Sequence, residues 1–285
     1  MSPRFWKIAR RELSFGGRTL LMGVLNVTPD SFSDGGRFFD AARALARAEE
    51  MVSEGADILD VGGESTRPGG APVGVEEELR RVVPVVGALA ARVAVPVSVD
   101  TTKAAVARAA LDAGAEIVND ISGLRFDPAL AEEAARAGAG LVLMHSRGTH
   151  ETLHTLPPVA DIMAEVTGGL RRSVAEAVRR GVGRATLALD PGIGFGKSQE
   201  QNVELLARLD RLAREFAEFP LLVGTSRKRF IGALTGGAPP PARLHGTMAS
   251  VTAAILRGAH VVRVHDVRAA AETARVADAI KAVKT

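Results

Sequence analysis

Residues 113–120 read Ala-Gly-Ala-Glu-Ile-Val-Asn-Asp and join the end of an Ala-rich segment to a short β-branched one. A glycine just past a helix end takes the left-handed conformation that stops the helix, and the chain then turns into the next strand. The same junction recurs at Gly55, Gly138, Gly181 and Gly258. Because the five copies are unevenly spaced, they favour one domain of β–α units with variable loops over a solenoid.

Eight short apolar segments alternate with the predicted helices and are themselves predicted strands. They are apolar along their whole length, which is typical of a parallel sheet covered on both faces. The segments are 19–27, 57–62, 96–100, 116–120, 140–145, 186–190, 220–224 and 261–265. Amphipathic stretches such as 40–54 and 199–217 lie between them and are predicted helices.

Eight such units in 285 residues predict an α/β fold, a single (β/α)8 TIM barrel. We expect the whole chain, 1–285, to form one domain, with its core over residues 19–281 and an N-terminal extension over 1–18. The segment around Trp6 is predicted to be an N-terminal plug or an edge strand. A doubly wound open sheet is the alternative fold.

The composition limits the classes of function. Hydrophobic residues make up 46% and charged residues 24% of the chain, which is enough for a core and excludes wholesale disorder. The absence of cysteine excludes disulfide scaffolds, Cys-ligated zinc, iron–sulfur clusters and thiol catalysis. The net charge is only +3 and the basic residues are scattered, so we expect no nucleic-acid partner. No apolar run reaches the roughly 20 residues of a membrane span, and we expect a soluble, cytoplasmic protein with no membrane partner.

Polar residues gather at the carboxyl ends of the predicted strands. In a parallel barrel these ends share one rim, where barrel enzymes place their sites. Taken singly, such a residue is more often a strand cap or a loop ion pair. Together they predict a site, and they are Asn26, Asp100, Asn119, Asp120, His145, Asp190, Arg263 and His265.

The last two strands predict a basic side of this site. Arg263 and His265 alternate with valines on the eighth strand, so both point to the same face. Arg227 and Lys228 follow the seventh strand and add positive charge. A phosphate-type anion suits this arrangement, because barrels often bind phosphate near strands seven and eight.

Three other strand ends predict an acidic side. Asp100, Asn119 and Asp190 supply two carboxylates and an amide, which suit a planar heterocycle with a guanidine-like, donor-rich edge. The alternative is that these acids only pair with Lys228 and Arg263.

Two polar, Gly- and Pro-rich segments, 28–36 and 65–72, begin directly at strand ends. This composition is typical of mobile lids over a site, and equally of ordinary surface loops.

Longer signatures carry a family resemblance. Residues 22–36 (Met-Gly-Val-Leu-Asn-Val-Thr-Pro-Asp-Ser-Phe-Ser-Asp-Gly-Gly) and 60–69 (Asp-Val-Gly-Gly-Glu-Ser-Thr-Arg-Pro-Gly) resemble the first two signatures of the dihydropteroate synthases. Further matching segments follow in the family's order, at 98–101, 119–121, 189–197, 226–228 and 263–267. The departures are Arg229, where many members carry a smaller residue, and a Pro-rich loop at 235–243.

The resemblance implies an enzyme of folate biosynthesis. It would join 6-hydroxymethyl-7,8-dihydropterin diphosphate to 4-aminobenzoate, with release of pyrophosphate and 7,8-dihydropteroate. The implied pterin residues are Asp100, Asn119, Asp190 and Lys228, and Ile121 is a further implied substrate-binding residue. The implied diphosphate residues are Thr66, Arg263 and His265. The implied aminobenzoate residues are Arg67, Pro68, Phe195, Ser226 and Lys228. The resemblance also implies a Mg²⁺ ion held in part by Asn26, and a homodimer.

The implied chemistry is a dissociative loss of pyrophosphate. Cleavage of the carbon–oxygen bond leaves positive charge on the heterocycle, which Asp100 would stabilise, and negative charge on the departing diphosphate. Arg263, His265 and Mg²⁺ would stabilise that negative charge, and Lys228 is a further catalytic candidate. Asp34, also a catalytic candidate, and Phe32 are expected to make contacts only when the loops close and exclude water.

Three other hypotheses about the function compete with a dihydropteroate synthase. A methyltransferase pterin-binding domain uses the same barrel but needs neither the Arg–His pair at strand eight nor the Ser-Thr-Arg-Pro loop. A non-catalytic pterin-binding protein predicts damage to Asn26, Lys228, Arg263 or His265, and all four are present. A purely structural barrel has little use for two Gly-rich loops.

Overall fold

The eight predicted apolar segments form the eight strands of one parallel sheet. The computed structural model describes residues 4–27, 37–64, 73–149, 152 and 156–283. Its strands are β1 (Arg4–Lys7), β2 (Glu12–Phe15), β3 (Leu20–Asn26), β4 (Ile58–Gly62), β5 (Val97–Asp100), β6 (Ile117–Asp120), β7 (Gly140–Met144), β8 (Leu187–Asp190), β9 (Leu222–Val223) and β10 (Val261–Val264). Its α-helices are α1 (Arg37–Ser53), α2 (Val75–Ala90), α3 (Ala104–Asp112), α4 (Leu130–Ala137), α5 (Ile162–Arg179), α6 (Gln199–Ala207), α7 (Leu209–Glu215), α8 (Arg229–Leu234), α9 (Leu244–Leu256) and α10 (Val267–Ala282). None of the described helices is long and apolar enough to cross a membrane.

The parallel sheet closes on itself. Its strands lie in the order β8-β7-β6-β5-β4-β3-β10-β9, and every pair is parallel. A parallel bridge between Leu189 and Leu221 joins the two ends of this order, where the Leu189 amide donates to the Pro220 carbonyl at 3.0 Å. A closed sheet confirms the predicted (β/α)8 barrel and excludes the doubly wound alternative.

The strands are apolar on both faces because each face meets a different core. Leu59 and Val61 on β4 belong to the large cluster that packs the sheet against the surrounding helices. Ile58 on the same strand points the other way, into a second cluster with Ile117 and Val142 inside the barrel. All five side chains are fully buried, so the continuous apolar pattern reports two buried faces rather than one.

The repeated helix–Gly–strand junction has the predicted backbone conformation. All five glycines take positive φ, from 59° at Gly138 to 110° at Gly114. At Gly138 the amide donates to the Ala135 carbonyl and ends α4, two residues before β7 begins. L-residues with a Cβ avoid this region of φ, which explains why glycine recurs at these junctions.

The N-terminal segment closes one end of the barrel. Strands β1 and β2 form an antiparallel hairpin, and Trp6 on β1 is fully buried. Its indole nitrogen donates to the Thr186 carbonyl at 2.8 Å, just before β8 begins. Its ring belongs to the inner cluster with residues that start strands, such as Leu20 and Val261. The predicted plug is therefore confirmed, and it covers the amino end of the strands.

Candidate active site

The opposite rim, formed by the carboxyl ends of the strands, carries the predicted polar residues. The register places Asn26 beside Gly62, Gly62 beside Asp100, and Asp100 beside Asn119. These four residues therefore lie at one level across β3 to β6. A Cβ added to Gly62 would lie 3.5 Å from the Cβ of Asp100 and 3.6 Å from its carboxylate, so the glycine leaves the carboxylate uncovered.

Arg263 on β10 lies between two carboxylates. Its Nε donates to Oδ2 of Asp60 at 2.6 Å, and its Nη2 donates to Oδ2 of Asp100 at 2.7 Å. The expected separation of the rim into an acidic and a basic side is therefore wrong at this point, because the acids and the base are in contact. Its Nη1 makes no hydrogen bond with the residues that the structure describes, and remains a donor for a ligand.

Asp60 is a site residue that sequence reasoning missed. It is fully buried, and its Oδ2 also accepts a hydrogen bond of 3.0 Å from Nδ2 of Asn119. Its Oδ1 is buried without a partner among the described residues. A carboxylate inside the otherwise apolar strand 58–62 was the available signal, because a charge in such a position requires a partner.

Asn119 is oriented by this contact. Its amide nitrogen faces Asp60, so its carbonyl oxygen points elsewhere and makes no hydrogen bond with a described residue. Ile121, the first residue after β6, is also buried. Asp120 faces the other side of the strand, and its carboxylate accepts from the amides of Ser122 and Leu124 at 2.7 and 2.6 Å. Asp120 therefore holds the following turn, and Asn119 is the residue of β6 that joins the polar group at the rim.

Asp190 and Lys228 form a second polar group at the rim. Asp190 is 4% exposed, and its Oδ1 accepts from the Gly192 amide at 2.7 Å. Its other oxygen makes no hydrogen bond within the described part of the chain. Lys228 donates from Nζ to the Ile193 carbonyl, and the same nitrogen lies 4.6 Å from the centroid of the Phe195 ring. The structure thus brings together three residues that the sequence assigned to substrates.

Burial and neighbouring charges shift the pKa values of three rim residues, Asp100, Asp190 and Lys228. Burial raises the pKa of Asp100 to about 7, although the Arg263 guanidinium opposes the shift. Burial also raises the pKa of Asp190, against the opposing charge of Lys228. Burial lowers the pKa of Lys228 to about 8, against the opposing charge of Asp190. Perturbed pKa values of both signs at one rim are typical of a functional site.

The loop after β9 supplies Ser226 and orients His265. Oγ of Ser226 lies 3.0 Å from Nδ1 of His265 and accepts from its backbone amide at 3.2 Å. Arg227 does not add free positive charge to the rim, contrary to expectation. It has a φ of 60°, and its Nε and Nη2 donate to the carboxylate of Asp266 at 3.0 and 2.5 Å.

Five predicted residues lie outside the described part of the chain, and their assignments stay predictions. They are Phe32, Asp34, Thr66, Arg67 and Pro68. Glu64, which directly precedes the second of these undescribed segments, belongs to an ion-pair cluster that sequence reasoning missed. Lys103 donates to Glu64 and to the fully buried Glu78, each at 2.5 Å, and Glu64 also accepts from the Val73 amide at 3.2 Å.

The described residues contain no group of three or more His, Cys, Asp or Glu that could enclose a metal ion. Asn26, the last residue of β3, offers an amide oxygen at the rim. Magnesium usually keeps several waters and binds through one or two protein ligands together with substrate phosphates. The donor set therefore fits a magnesium ion that is bound together with a diphosphate, and does not fit a protein cage.

The fold and the polar rim together are those of a barrel enzyme suited to a planar, donor-rich ring. The family model described as pterin binding enzyme matches residues 22–265 of this chain. The dihydropteroate synthase of Synechocystis is 48% identical over 273 residues, which cover 96% of this chain and 94% of that protein. The Xanthomonas albilineans dihydropteroate synthase solved with 4-aminobenzoic acid is 45% identical, with a TM-score of 0.91 and coverage of 99% and 100% of the two chains. The Burkholderia cenocepacia dihydropteroate synthase complexed with 7,8-dihydropteroate is 41% identical, with a TM-score of 0.87 and coverage of 98% and 97%.

The chain belongs to the dihydropteroate synthase family. It is an enzyme of folate biosynthesis, a transferase of class EC 2.5.1.15. This assignment confirms the resemblance that the sequence signatures indicated, and it excludes a methyltransferase domain and a purely structural barrel.

Proposed function

We propose that this chain condenses 6-hydroxymethyl-7,8-dihydropterin diphosphate with 4-aminobenzoate through a dissociative loss of pyrophosphate. One observation carries the proposal: two acceptor oxygens, on Asn119 and Asp190, make no hydrogen bond with a described residue and lie on the same rim as the Lys228 ammonium. Relatives solved with 4-aminobenzoic acid and with 7,8-dihydropteroate support the same pair of substrates.

The open acceptors suit the amino-pyrimidine edge of a pterin. That edge presents adjacent N–H donors in a guanidine-like arrangement, and a carboxylate that accepts such donors forms a charge-assisted hydrogen bond. Asp190 supplies the carboxylate and Asn119 supplies the carbonyl oxygen. Lys228 contributes donors for the acceptor atoms of the ring, because its ammonium has three N–H groups and the Ile193 carbonyl takes one.

Arg263, His265 and Asn26 suit the diphosphate. Two of the three guanidinium nitrogens of Arg263 are held by Asp60 and Asp100, so the side chain is fixed in place before a ligand binds. Its Nη1 is the remaining donor for a phosphate oxygen. A magnesium ion bound with the diphosphate, with Asn26 among its ligands, would neutralise charge on the leaving group.

The reaction breaks the carbon–oxygen bond at the pterin methylene, and the electron pair stays on the diphosphate oxygen. The arylamine nitrogen then forms the carbon–nitrogen bond and loses one proton to solvent water. Asp100, when ionised, stabilises the positive charge that develops on the ring between these steps. Phe195, whose ring lies 4.6 Å from Nζ of Lys228, and Ser226, two residues before Lys228, would contact the aromatic ring and the carboxylate of aminobenzoate.

The dissociative character of the step can be tested with deuterium at the pterin methylene. A cation-like transition state loosens the bending of these C–H bonds, so the deuterated substrate should react more slowly, with a normal secondary isotope effect on kcat/KM for the pterin diphosphate. A single displacement by the amine predicts an isotope effect near unity. That result would overturn the dissociative part of the proposal and leave the choice of substrates standing.

A further inference from the structure

The loop that joins β8 to α6, residues 191–198, is shaped by alternating glycines. Gly192, Gly194 and Gly196 have φ values of 68°, 87° and 67°. A Cβ at Gly192 would collide with the carbonyl oxygen of His145, and a Cβ at Gly196 would lie 2.6 Å from the Cβ of Arg147. The loop therefore needs glycine at both positions, and it curls so that several of its carbonyls face inward.

Lys197 lies at the centre of this curl. Its Nζ donates to the carbonyls of Gly192 at 2.7 Å, Phe195 at 3.0 Å and His145 at 3.1 Å. An ammonium has three donors and no acceptor, so these three carbonyls use its full capacity. The ammonium makes no ion pair with a carboxylate among the residues described. Its contacts tie two points of the loop to the end of β7.

The rest of the loop backbone is held by neighbours on each side. The Gly194 amide donates to Oδ1 of Asn202 on α6 at 2.6 Å, and the Gly192 amide donates to Asp190. The Ile193 carbonyl accepts from Lys228. Together with one turn bond inside the loop, from the Phe195 amide to the Gly192 carbonyl at 3.1 Å, these contacts satisfy backbone groups that no helix or strand pairs.

We propose that Lys197 is a positioning residue for the condensation, because it fixes the loop that places Lys228. The two groups that hold the Lys228 ammonium, the Ile193 carbonyl and the Phe195 ring, both belong to this loop. The Phe195 residue is tied to Lys197 through its own carbonyl. Lys197 therefore acts through Lys228 and Phe195 without contact with substrate, and this kinetic role rests on the proposed function.

The test is Lys197→Met, which keeps the length of the side chain and removes all three donors. We expect kcat/KM for aminobenzoate to fall by about 10- to 100-fold, because small misplacement of reacting groups has effects of this size. Affinity for the pterin diphosphate should fall less, because only the Lys228 donors are misplaced and Asp190 and Asn119, which lie on strands, still hold the ring.

Gln201→Ala is the matched control. Gln201 forms a capping box with Ser198 at the start of α6, and its side chain donates to the Val159 carbonyl at 2.8 Å. The substitution destabilises the helix that follows the loop but touches none of the carbonyls that Lys197 binds. An equal loss of kcat/KM in both variants would reduce Lys197 to a structural role and overturn the proposal, as would unchanged kinetics in Lys197→Met.

Amide hydrogen exchange over residues 192–197 separates this inference from the proposed function. Faster exchange in Lys197→Met, with wild-type exchange in Gln201→Ala, supports the loop contact whatever the enzyme makes, and unchanged exchange contradicts it. If the wild-type protein forms no dihydropteroate, the proposed function fails while the exchange result still stands. If Lys197→Met does not fold, Asn202→Ala is the second variant. It removes the hydrogen bond that the Gly194 amide of the same loop donates to Asn202, and it should change exchange and kinetics in the same direction.

Discussion

Nε of Arg263 donates a 2.6 Å hydrogen bond to the fully buried carboxylate of Asp60, at the base of the open rim. Asp60 also fixes the amide of Asn119, and Arg263 also holds Asp100. One buried carboxylate thus orients both Asn119, which is proposed to bind the pterin edge, and Arg263, which is proposed to bind the diphosphate. Because a fixed site pays no reorganisation cost during the reaction, this network is the structural basis of the proposed chemistry.

Removal of Asp60 should therefore destabilise the protein strongly. Asp60→Ala leaves Arg263 with one of its two carboxylates and leaves the Asn119 amide unpaired, and breaking a buried pair in this way costs about 3–5 kcal/mol. Urea unfolding measures the loss. Ser98→Ala is the matched control, because Ser98 lies opposite Asp60 in the sheet and its buried hydroxyl has no described partner. Similar stability losses in the two variants would contradict a special role for Asp60.

The activity should depend on pH in a bell shape. Asp100 must be ionised to stabilise a cation, and its pKa is raised to about 7. Lys228 must be protonated to donate hydrogen bonds, and its pKa is lowered to about 8. We expect kcat/KM for the pterin diphosphate to rise with pH through about 7 and to fall through about 8. A profile that is flat across both values would show that neither ionisation matters.

The contact between Lys228 and Phe195 should contribute to aminobenzoate binding. Phe195→Leu removes the cation–π contact, which is worth about 0.5–2 kcal/mol, or roughly 2- to 30-fold in affinity. The KM for aminobenzoate reports this loss, while the Kd of the pterin diphosphate should change less, because Asp190 and Asn119 still hold the pterin ring. Phe126→Leu is the control, because Phe126 makes a similar contact with Arg125 but is 38% exposed and is not among the proposed substrate residues. A larger effect in the control would remove Phe195 from the aminobenzoate side.

The hairpin at the closed end should act on stability alone. Trp6→Ala deletes a fully buried indole and its hydrogen bond to Thr186, and we expect a loss of about 3–5 kcal/mol in the free energy of unfolding. Phe5→Ala, on the exposed face of the same strand, should lie within about 0.5 kcal/mol of wild type. Both variants should retain wild-type kcat/KM per folded molecule. Loss of activity without loss of stability would indicate that the plug has a catalytic role.

The fold was largely predictable because its signals are local. Each helix–Gly–strand junction is a contiguous stretch, and the apolar strands lie between such stretches. The partners of Arg263 were not predictable, since Asp60 lies 203 positions away and the pairing depends on sheet closure. The role of Lys197 was equally hidden, because its acceptors are backbone carbonyls that only a particular loop conformation brings together.

The most direct test is an assay that follows both products at once. The purified protein is incubated with the dihydropterin diphosphate, 4-aminobenzoate and Mg²⁺, and dihydropteroate and pyrophosphate are measured together. We expect equal amounts of the two products, with loss of both when Mg²⁺ is omitted. Binding of the pterin diphosphate without either product would contradict the proposed condensation and would favour a non-catalytic pterin-binding protein.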